Sequence, residues 1–172
     1  MKLVRSFSLL VLLTFAAAVE VSWLNPIGLP GATPPLVMVL VLSAAMRRTP
    51  NRAALVGFVA GIVVDVMPPS VTPLGVSAFA FAIVAYAVSQ FRDVLAGSVG
   101  LPLLISALAG FFVPIVRYIH LAVIGSEYTL TDSIIIVVST SALYSVMLAT
   151  IVFPALAWLE SKFVTRNSQI YR

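Results

Sequence analysis

The sequence predicts an all-α polytopic membrane protein, a six-transmembrane-helix bundle in one integral membrane domain that covers residues 1–172. Composition is the first observation, because 61% of the residues are hydrophobic, only 9% are charged, and the mean hydropathy is +1.13. No water-soluble domain of this length could solvate such a surface. The second observation is that nine of the ten Lys and Arg residues lie in alternate gaps between the apolar runs.

The predicted spans are apolar runs separated by charged or proline-rich turns. The six runs cover residues 6–24, 35–46, 53–67, 74–89, 95–116 and 134–159. Cytoplasmic loops retain Lys and Arg, whereas translocated loops lose them. Cations lie before the first run, after the second and fourth, and after the last, while the other gaps hold only Arg117. This distribution predicts a multi-pass protein of the inner (cytoplasmic) membrane, with a cytoplasmic N-terminus and a cytoplasmic C-terminus.

The first run, residues 6–24, has Trp23 where an outer aromatic anchor is expected. Its alternative is a cleaved signal peptide, because basic residues precede an apolar core and the small residues Ala16, Ala17 and Ala18 follow. The apolar stretch continues beyond these alanines, and cleavage would leave an odd number of spans. We therefore expect the first run to be retained as a span.

The second and third runs, residues 35–46 and 53–67, are short for a bilayer that needs about 20 helical residues. Either part of the Pro- and Gly-rich segment 25–34 dips into the membrane, or longer neighbours shelter these helices. The later runs are longer, and prolines at the exit of the third run end that helix and start the fourth. A basic tail after the sixth run is expected to lie on the inner membrane surface.

Several classes of function are disfavoured by the residues present. The formal charge of +4 suits anionic headgroups and membrane topology, so we expect the lipid bilayer as a partner and no nucleic acid. The chain has no cysteine and one histidine, so we expect no metal site. We expect no cofactor, no catalytic residue and no enzyme, because no nucleophile–base pair or phosphate-binding loop is recognisable. His120 is expected to be an interfacial residue.

The third run carries small residues at a spacing of four. Gly57 and Gly61 precede Asp65 on one helix face, which creates a groove that a partner backbone can approach closely. One interpretation is packing inside the bundle, and the other is an interface with a partner protein. Ser106 and Gly110, and also Ser141 and Ser145, form comparable small faces on the fifth and sixth runs.

Asp65 is expected about 20 Å above Arg52, in the outer half of the bilayer and at a helix C-terminus, where a carboxylate is costly. It needs a hydrogen-bond donor, a cation or a proton. Arg117 is the one basic residue in the outer gaps, and Glu20 competes for it. The sequence therefore predicts an outer ion-pair network of Glu20, Asp65 and Arg117, while a partner-binding role or a proton relay for Asp65 stays open.

These residues resemble the rod shape-determining protein MreD family. The resemblance rests on the segment 57–65, GFVAGIVVD, which is followed by a proline-rich exit containing Pro69. Leu74 and Gly75 then open the next span, and Tyr86 lies near its end. Length and the six-span plan match across the chain, while the identifiable motif covers about a quarter of it. The proline-dense turn is busier than the family pattern.

The resemblance implies a non-enzymatic component of the bacterial elongasome, which maintains cell shape during peptidoglycan synthesis. Proteins of this family are associated with MreC, with RodA and a class B penicillin-binding protein, and indirectly with the actin-like MreB. The resemblance also implies a bundle similar to the substrate-binding subunit of energy-coupling-factor transporters.

A vitamin-transporter subunit of that energy-coupling-factor type is the alternative function, because its span number, length and basic interior are similar. Such a subunit usually carries alanines spaced by four on its first span, whereas Ala16, Ala17 and Ala18 are contiguous here. Tyr118 and His120 leave an outer pocket open as an option. An intramembrane enzyme is a third class, for which the sequence offers no catalytic dyad.

Overall fold

The computed structural model describes the backbone of residues 2–24, 26–67, 73–95, 97–98, 100–123 and 133–168. Side chains are described for these same ranges between residues 11 and 157, apart from residue 133. Pro69 of the expected motif, the connection 124–132 and Arg172 therefore lie outside the described residues, as do the side chains of the basic tail.

The described part of the chain is helical throughout, which confirms the prediction of an all-α protein. A π-helical turn, Glu20–Leu24, directly follows the first helix. The α-helices are α1 (Lys2–Val19), α2 (Leu36–Ala45), α3 (Pro50–Val66), α4 (Val76–Gln90), α5 (Arg92–Leu95), α6 (Gly100–Val123) and α7 (Ser133–Ser168).

The helices overlap the predicted runs but differ from them at several boundaries, among them the end of α7, which lies at Ser168 and not at residue 159. The expected turn after the fourth run contains the short helix α5, Arg92–Leu95. In addition, α6 continues to Val123 instead of ending at residue 116, so Arg117 and His120 lie on a helix rather than in a loop. The reason is that a helix accepts Arg117 when its guanidinium finds a partner on a neighbouring helix, which it does on α4.

The core is built around α2, which packs against α1, α3, α4, α6 and α7. Seven of its ten residues are buried, among them Val37, Met38 and Leu42. With a rise of 1.5 Å per residue, α2 is about 15 Å long. Its neighbours on all sides explain how so short an apolar helix is accommodated.

The Pro- and Gly-rich segment before α2 packs against α7. The Tyr144 hydroxyl donates a 3.2 Å hydrogen bond to the Pro30 carbonyl oxygen. A methyl group on Gly31 would collide with the side chain of Thr140, so this segment and α7 are in close contact there. Tyr144 lies about 17 Å along α7 from its first residue, because each helical residue advances 1.5 Å. The segment therefore lies along the first part of α7, and most of its described residues are exposed.

Two antiparallel helix pairs make the most extensive contacts, α3 with α4 and α6 with α7.

The carboxylate end of the bundle is the end that holds Glu20, Asp65 and Arg117. The basic end is the opposite one, where α2 ends, α3 begins and α5 lies, with Arg47, Arg48, Arg52 and Arg92.

Among the described residues, two helical stretches are long and apolar enough to cross a membrane, Gly100–Val123 and Ile134–Ala157. Only 22% of the residues in the most apolar window of each are buried inside the protein. Three shorter apolar stretches, Val11–Leu24, Leu36–Ala45 and Val76–Gln90, accompany them. The six-span plan and the likeness to energy-coupling-factor subunits stay predictions.

Candidate functional site

The Asp65 carboxylate caps the N-terminus of α4. Its Oδ2 atom accepts hydrogen bonds from the backbone N–H groups of Gly75 (2.8 Å), Ser77 (3.1 Å) and Ala78 (3.4 Å). Only 5% of Asp65 is exposed. The first-turn N–H groups of a helix have no partner within the helix, and the helix dipole places partial positive charge there. This arrangement compensates a buried carboxylate that the end of α3 alone would disfavour.

The turn into α4 depends on Gly75. Its backbone has a φ of +107°, a left-handed conformation that glycine adopts without the steric cost of a Cβ atom. α4 begins immediately after this residue, and its first backbone amides face the Asp65 carboxylate. Leu74 of the same expected motif is 68% exposed, and it contributes to the surface of the carboxylate end.

Gly57 and Gly61 bring the backbones of α3 and α4 into contact. A Cβ atom on Gly57 would meet the backbone of Phe81 and lie 2.7 Å from its carbonyl carbon. A Cβ atom on Gly61 would collide with the backbone of Ala78. The face that carries Gly57, Gly61 and Asp65 is therefore occupied by α4 from one end to the other. A partner role for these residues stays a prediction.

Glu20 caps a second helix at the same end. Its Oε2 atom accepts a 2.9 Å hydrogen bond from the backbone N–H of Val37, in the first turn of α2. The π-helical turn that follows α1 carries Glu20 to this position. Two acidic side chains thus cap α2 and α4, which both begin at the carboxylate end. Neither cap comes from the residue next to its helix, because each acid reaches its helix from another element.

Arg117 on α6 is joined to the Asp65 cap through Ser77. The Arg117 Nε and Nη2 atoms donate hydrogen bonds of 3.1 Å and 2.8 Å to the Ser77 hydroxyl oxygen. The Ser77 backbone N–H in turn donates to Asp65. Both Glu20 and Asp65 lie within electrostatic range of the guanidinium. Arg117 thus connects α6 to the helix that Asp65 caps.

Four elements therefore meet at the carboxylate end, and they contribute Glu20, Asp65, Ser77 and Arg117. The three residues of the expected outer network lie near one another, and its ion-pair character stays a prediction. Ser77 is the site residue that the sequence pattern did not indicate, because a serine in an apolar run can be satisfied by its own helix backbone. Its position two residues after Gly75, at a helix start, is the signal that could have identified it.

His120 lies one turn beyond Arg117 on α6, and among the described residues its Nε2 atom has no hydrogen-bond partner. Among those residues, too, no group of three or more His, Cys, Asp or Glu side chains could hold a metal ion. The hydrogen bonds of the site join the turn after α1 to α2, α3 to α4, and α4 to α6. The expected absence of catalytic residues stays a prediction.

The all-helical fold, the two long apolar stretches and the buried polar cluster are together typical of a membrane protein. The sequence profile of rod shape-determining protein MreD matches residues 1–163, and the chain belongs to the MreD family. This membership confirms the resemblance found in the sequence, and it implies a role in rod shape determination in a family that is structural. Neither the curated proteins nor the solved structures gave a match.

Proposed function

We propose that this protein is a non-enzymatic membrane scaffold of the bacterial cell-wall elongation machinery, which maintains rod shape by binding partner membrane proteins. The observation that carries the proposal is the family match over residues 1–163. A bitopic protein of the MreC class is the expected direct partner. RodA and a class B penicillin-binding protein belong to the same assembly, and MreB is an indirect partner on the inner side.

The proposed orientation places the basic end in the cytoplasm. Arg47, Arg48, Arg52 and Arg92 gather there, whereas Arg117 is the cation at the carboxylate end. Cytoplasmic enrichment of Lys and Arg supports this orientation. Reporter fusions after Met46 and Gln90 should report cytoplasm, and a fusion after Pro30 should report the exterior. A five-span product with a processed N-terminus would contradict the topology.

A stripe on α4 is the proposed partner surface. Phe79, Ile83 and Tyr86 recur at a spacing of four and three residues, which places them on one face of the helix. They are 63%, 40% and 45% exposed. Aromatic residues are enriched at protein interfaces, and a tyrosine hydroxyl in an apolar environment gains from a polar partner. The Asp65 cap and the two glycines hold α4 in place, so this α4 stripe is a rigid surface.

Co-purification with an MreC-class protein tests this proposal. We expect the double variant Phe79→Ala, Ile83→Ala to recover at least tenfold less partner than the unaltered protein, since truncation removes the contact area. The matched control is Leu143→Ala, Met147→Ala, which truncates two side chains that are each 58% exposed on α7. Equal recovery by both double variants, at equal amounts of folded protein, would contradict the α4 stripe.

The alternative function, a substrate-binding subunit of an energy-coupling-factor-type vitamin transporter, makes a different prediction for the same preparation. The purified chain would then carry a small water-soluble molecule, and a bitopic protein would be absent. Extraction of the purified protein and mass spectrometry of the extract separate the two functions. A stoichiometric vitamin-like compound would favour the transporter subunit over the scaffold.

A further inference from the structure

A large cavity opens at the basic end, far from the Asp65 cap and from the α4 stripe. It has a volume of about 690 Å³ and lies between the end of α2, the short helix α5, the start of α6 and the second half of α7. Ligand sites in proteins have volumes of roughly 300–1,000 Å³. This space is therefore large enough for a ligand, and neither the proposed scaffold role nor the family match assigns one to it.

The cavity exists because small side chains face it where larger ones would close the bundle. Ser43 on α2 and both Ala149 and Ala157 on α7 line it. Ala149 and Ala157 are eight residues apart, so the cavity extends about 12 Å along α7 at 1.5 Å per residue. The helices of a membrane protein run in roughly the same direction as the lipid chains around them, so an acyl chain could lie along this part of α7.

The walls are mainly apolar. Met46, Leu95, Leu103 and Phe153 supply the large side chains that face the space. Walls of this kind give water few hydrogen-bond partners. Beside a bilayer, the occupant that fits this chemistry is a hydrocarbon chain.

The rim of the cavity is basic. Arg47 lines the cavity, while Arg48 is held to the end of α2 by a 2.9 Å hydrogen bond from its Nη1 to the Ala44 carbonyl oxygen. Arg52 and Arg92 lie at the same end of the bundle. Among the described residues no carboxylate lines the cavity, and Asp93 at this end is paired with Arg92 at 3.3 Å. Basic pockets between membrane helices bind anionic lipid headgroups.

We propose that this cavity binds one anionic phospholipid, with an acyl chain between α2, α6 and α7 and its phosphate on Arg47. We expect the apolar space to favour a lipid acyl chain and the basic rim to favour an anionic headgroup. The bound lipid fills the gap beside the end of α2 and joins α5 and α7 across it.

Lipid retention by the purified full-length protein tests the site. The protein is stripped by detergent exchange and titrated with phosphatidylglycerol or with phosphatidylcholine, and bound lipid is counted by native mass spectrometry. We expect one retained phosphatidylglycerol and at least tenfold weaker retention of phosphatidylcholine. Arg47→Gln should remove most of this preference, and Ala157→Phe should weaken retention of both lipids by filling the space.

Two matched controls separate the site from general surface binding. Arg52→Gln removes a cation at the same end that does not line the cavity, and Leu143→Phe enlarges an exposed side chain of α7 away from it. Both should retain phosphatidylglycerol as the unaltered protein does. The proposal is overturned if the two lipids bind equally, if Ala157→Phe retains lipid normally, or if Arg52→Gln loses the preference as fully as Arg47→Gln.

Discussion

The α3–α4 pair and the α6–α7 pair are both closed by small residues, but different kinds of atoms meet in them. In α3–α4, glycines of one helix face the backbone of the other, so that a Cβ on Gly61 would collide with Ala78 main-chain atoms. In α6–α7, a Cβ on Gly110 would meet chiefly the side chain of Ser145, with the Ser141 carbonyl oxygen at 2.8 Å.

The two pairs also differ in their polar groups. The Asp65 carboxylate crosses from α3 to the amides of α4, so a side chain on one helix satisfies the backbone of the other. The buried serines of α6–α7 bond within their own helices, Ser106 to Pro102 at 2.9 Å and Ser145 to Ser141 at 2.7 Å. Substitutions that change side-chain volume or charge should therefore both affect the stability of the α3–α4 pair. The stability of the α6–α7 pair should depend mainly on side-chain volume.

The largest expected effect is that of Gly61→Leu. The new side chain meets backbone, which cannot rotate away as a side chain can, so α3 and α4 must separate. Overpacking of this kind costs about 3 kcal/mol. Denaturant unfolding of the purified protein in detergent micelles, together with its yield, measures the loss.

The control for this variant is Val66→Leu, on the same helix at a side chain that is 65% exposed. It should change the free energy of unfolding by less than about 0.5 kcal/mol. Equal stability and yield of Gly61→Leu and Val66→Leu would show that the close approach of α3 and α4 contributes nothing.

Asp65→Asn should have the next largest effect. The amide keeps the shape of the carboxylate but loses the charge that strengthens the hydrogen bonds from Gly75, Ser77 and Ala78. We expect a loss of about 1–3 kcal/mol in the same unfolding measurement. Asp93→Asn is the matched control, because that side chain is 89% exposed and its pair with Arg92 should contribute little. Similar losses for the two variants would argue against a special role for the Asp65 cap.

Gly110→Ala in α6–α7 should cost less, about 1–2 kcal/mol, because the main obstacle is a side chain. The second change Ser145→Gly removes that side chain and should restore part of the loss. No second substitution can restore the loss in the same way in α3–α4, because the obstacle there is backbone, which a substitution cannot remove. If Ser145→Gly restores nothing, the α6–α7 pair is limited by backbone contact, and the distinction between the two pairs fails.

The smallest expected effect concerns the link between α4 and α6. Ser77→Ala removes the hydroxyl that accepts from Arg117, and Arg117→Gln removes the donor. Each single variant should lower the free energy of unfolding. The loss in the double variant should be smaller than the sum of the two single losses by about 1 kcal/mol, because both substitutions remove the same interaction. Additive losses would mean that Arg117 is held by other groups.

The helices were largely predictable because apolar runs bounded by prolines and charges define them locally. The end of α6 was not, since its extension through Arg117 depends on Ser77, a residue 40 positions earlier in the chain. The short helix α5 was also missed, because four residues carry too little periodicity to indicate a helix. The central position of α2 could not be predicted either, as burial on all faces follows from five neighbours and not from its own sequence.

The contacts of the candidate site also depend on residues that are distant in the sequence. The sequence indicates that Asp65 needs a donor, and it suggests Arg117 as the nearest cation. The structure shows that backbone amides serve as donors to Asp65, because the start of α4 faces the end of α3. Which helix terminus faces a buried acid depends on the path of the connecting turn, and residue types alone do not define that path.

Amide hydrogen exchange at the start of α4 tests the central claim most directly, which is that the Asp65 carboxylate holds α4 against α3. The protein is labelled with ¹⁵N in a lipid nanodisc, and exchange at Gly75, Ser77 and Ala78 is compared between the unaltered chain and Asp65→Ala. We expect these amides to be protected in the unaltered chain and to exchange at least tenfold faster in the variant, while amides of α7 keep their rates. Unchanged exchange at all three positions would contradict the account.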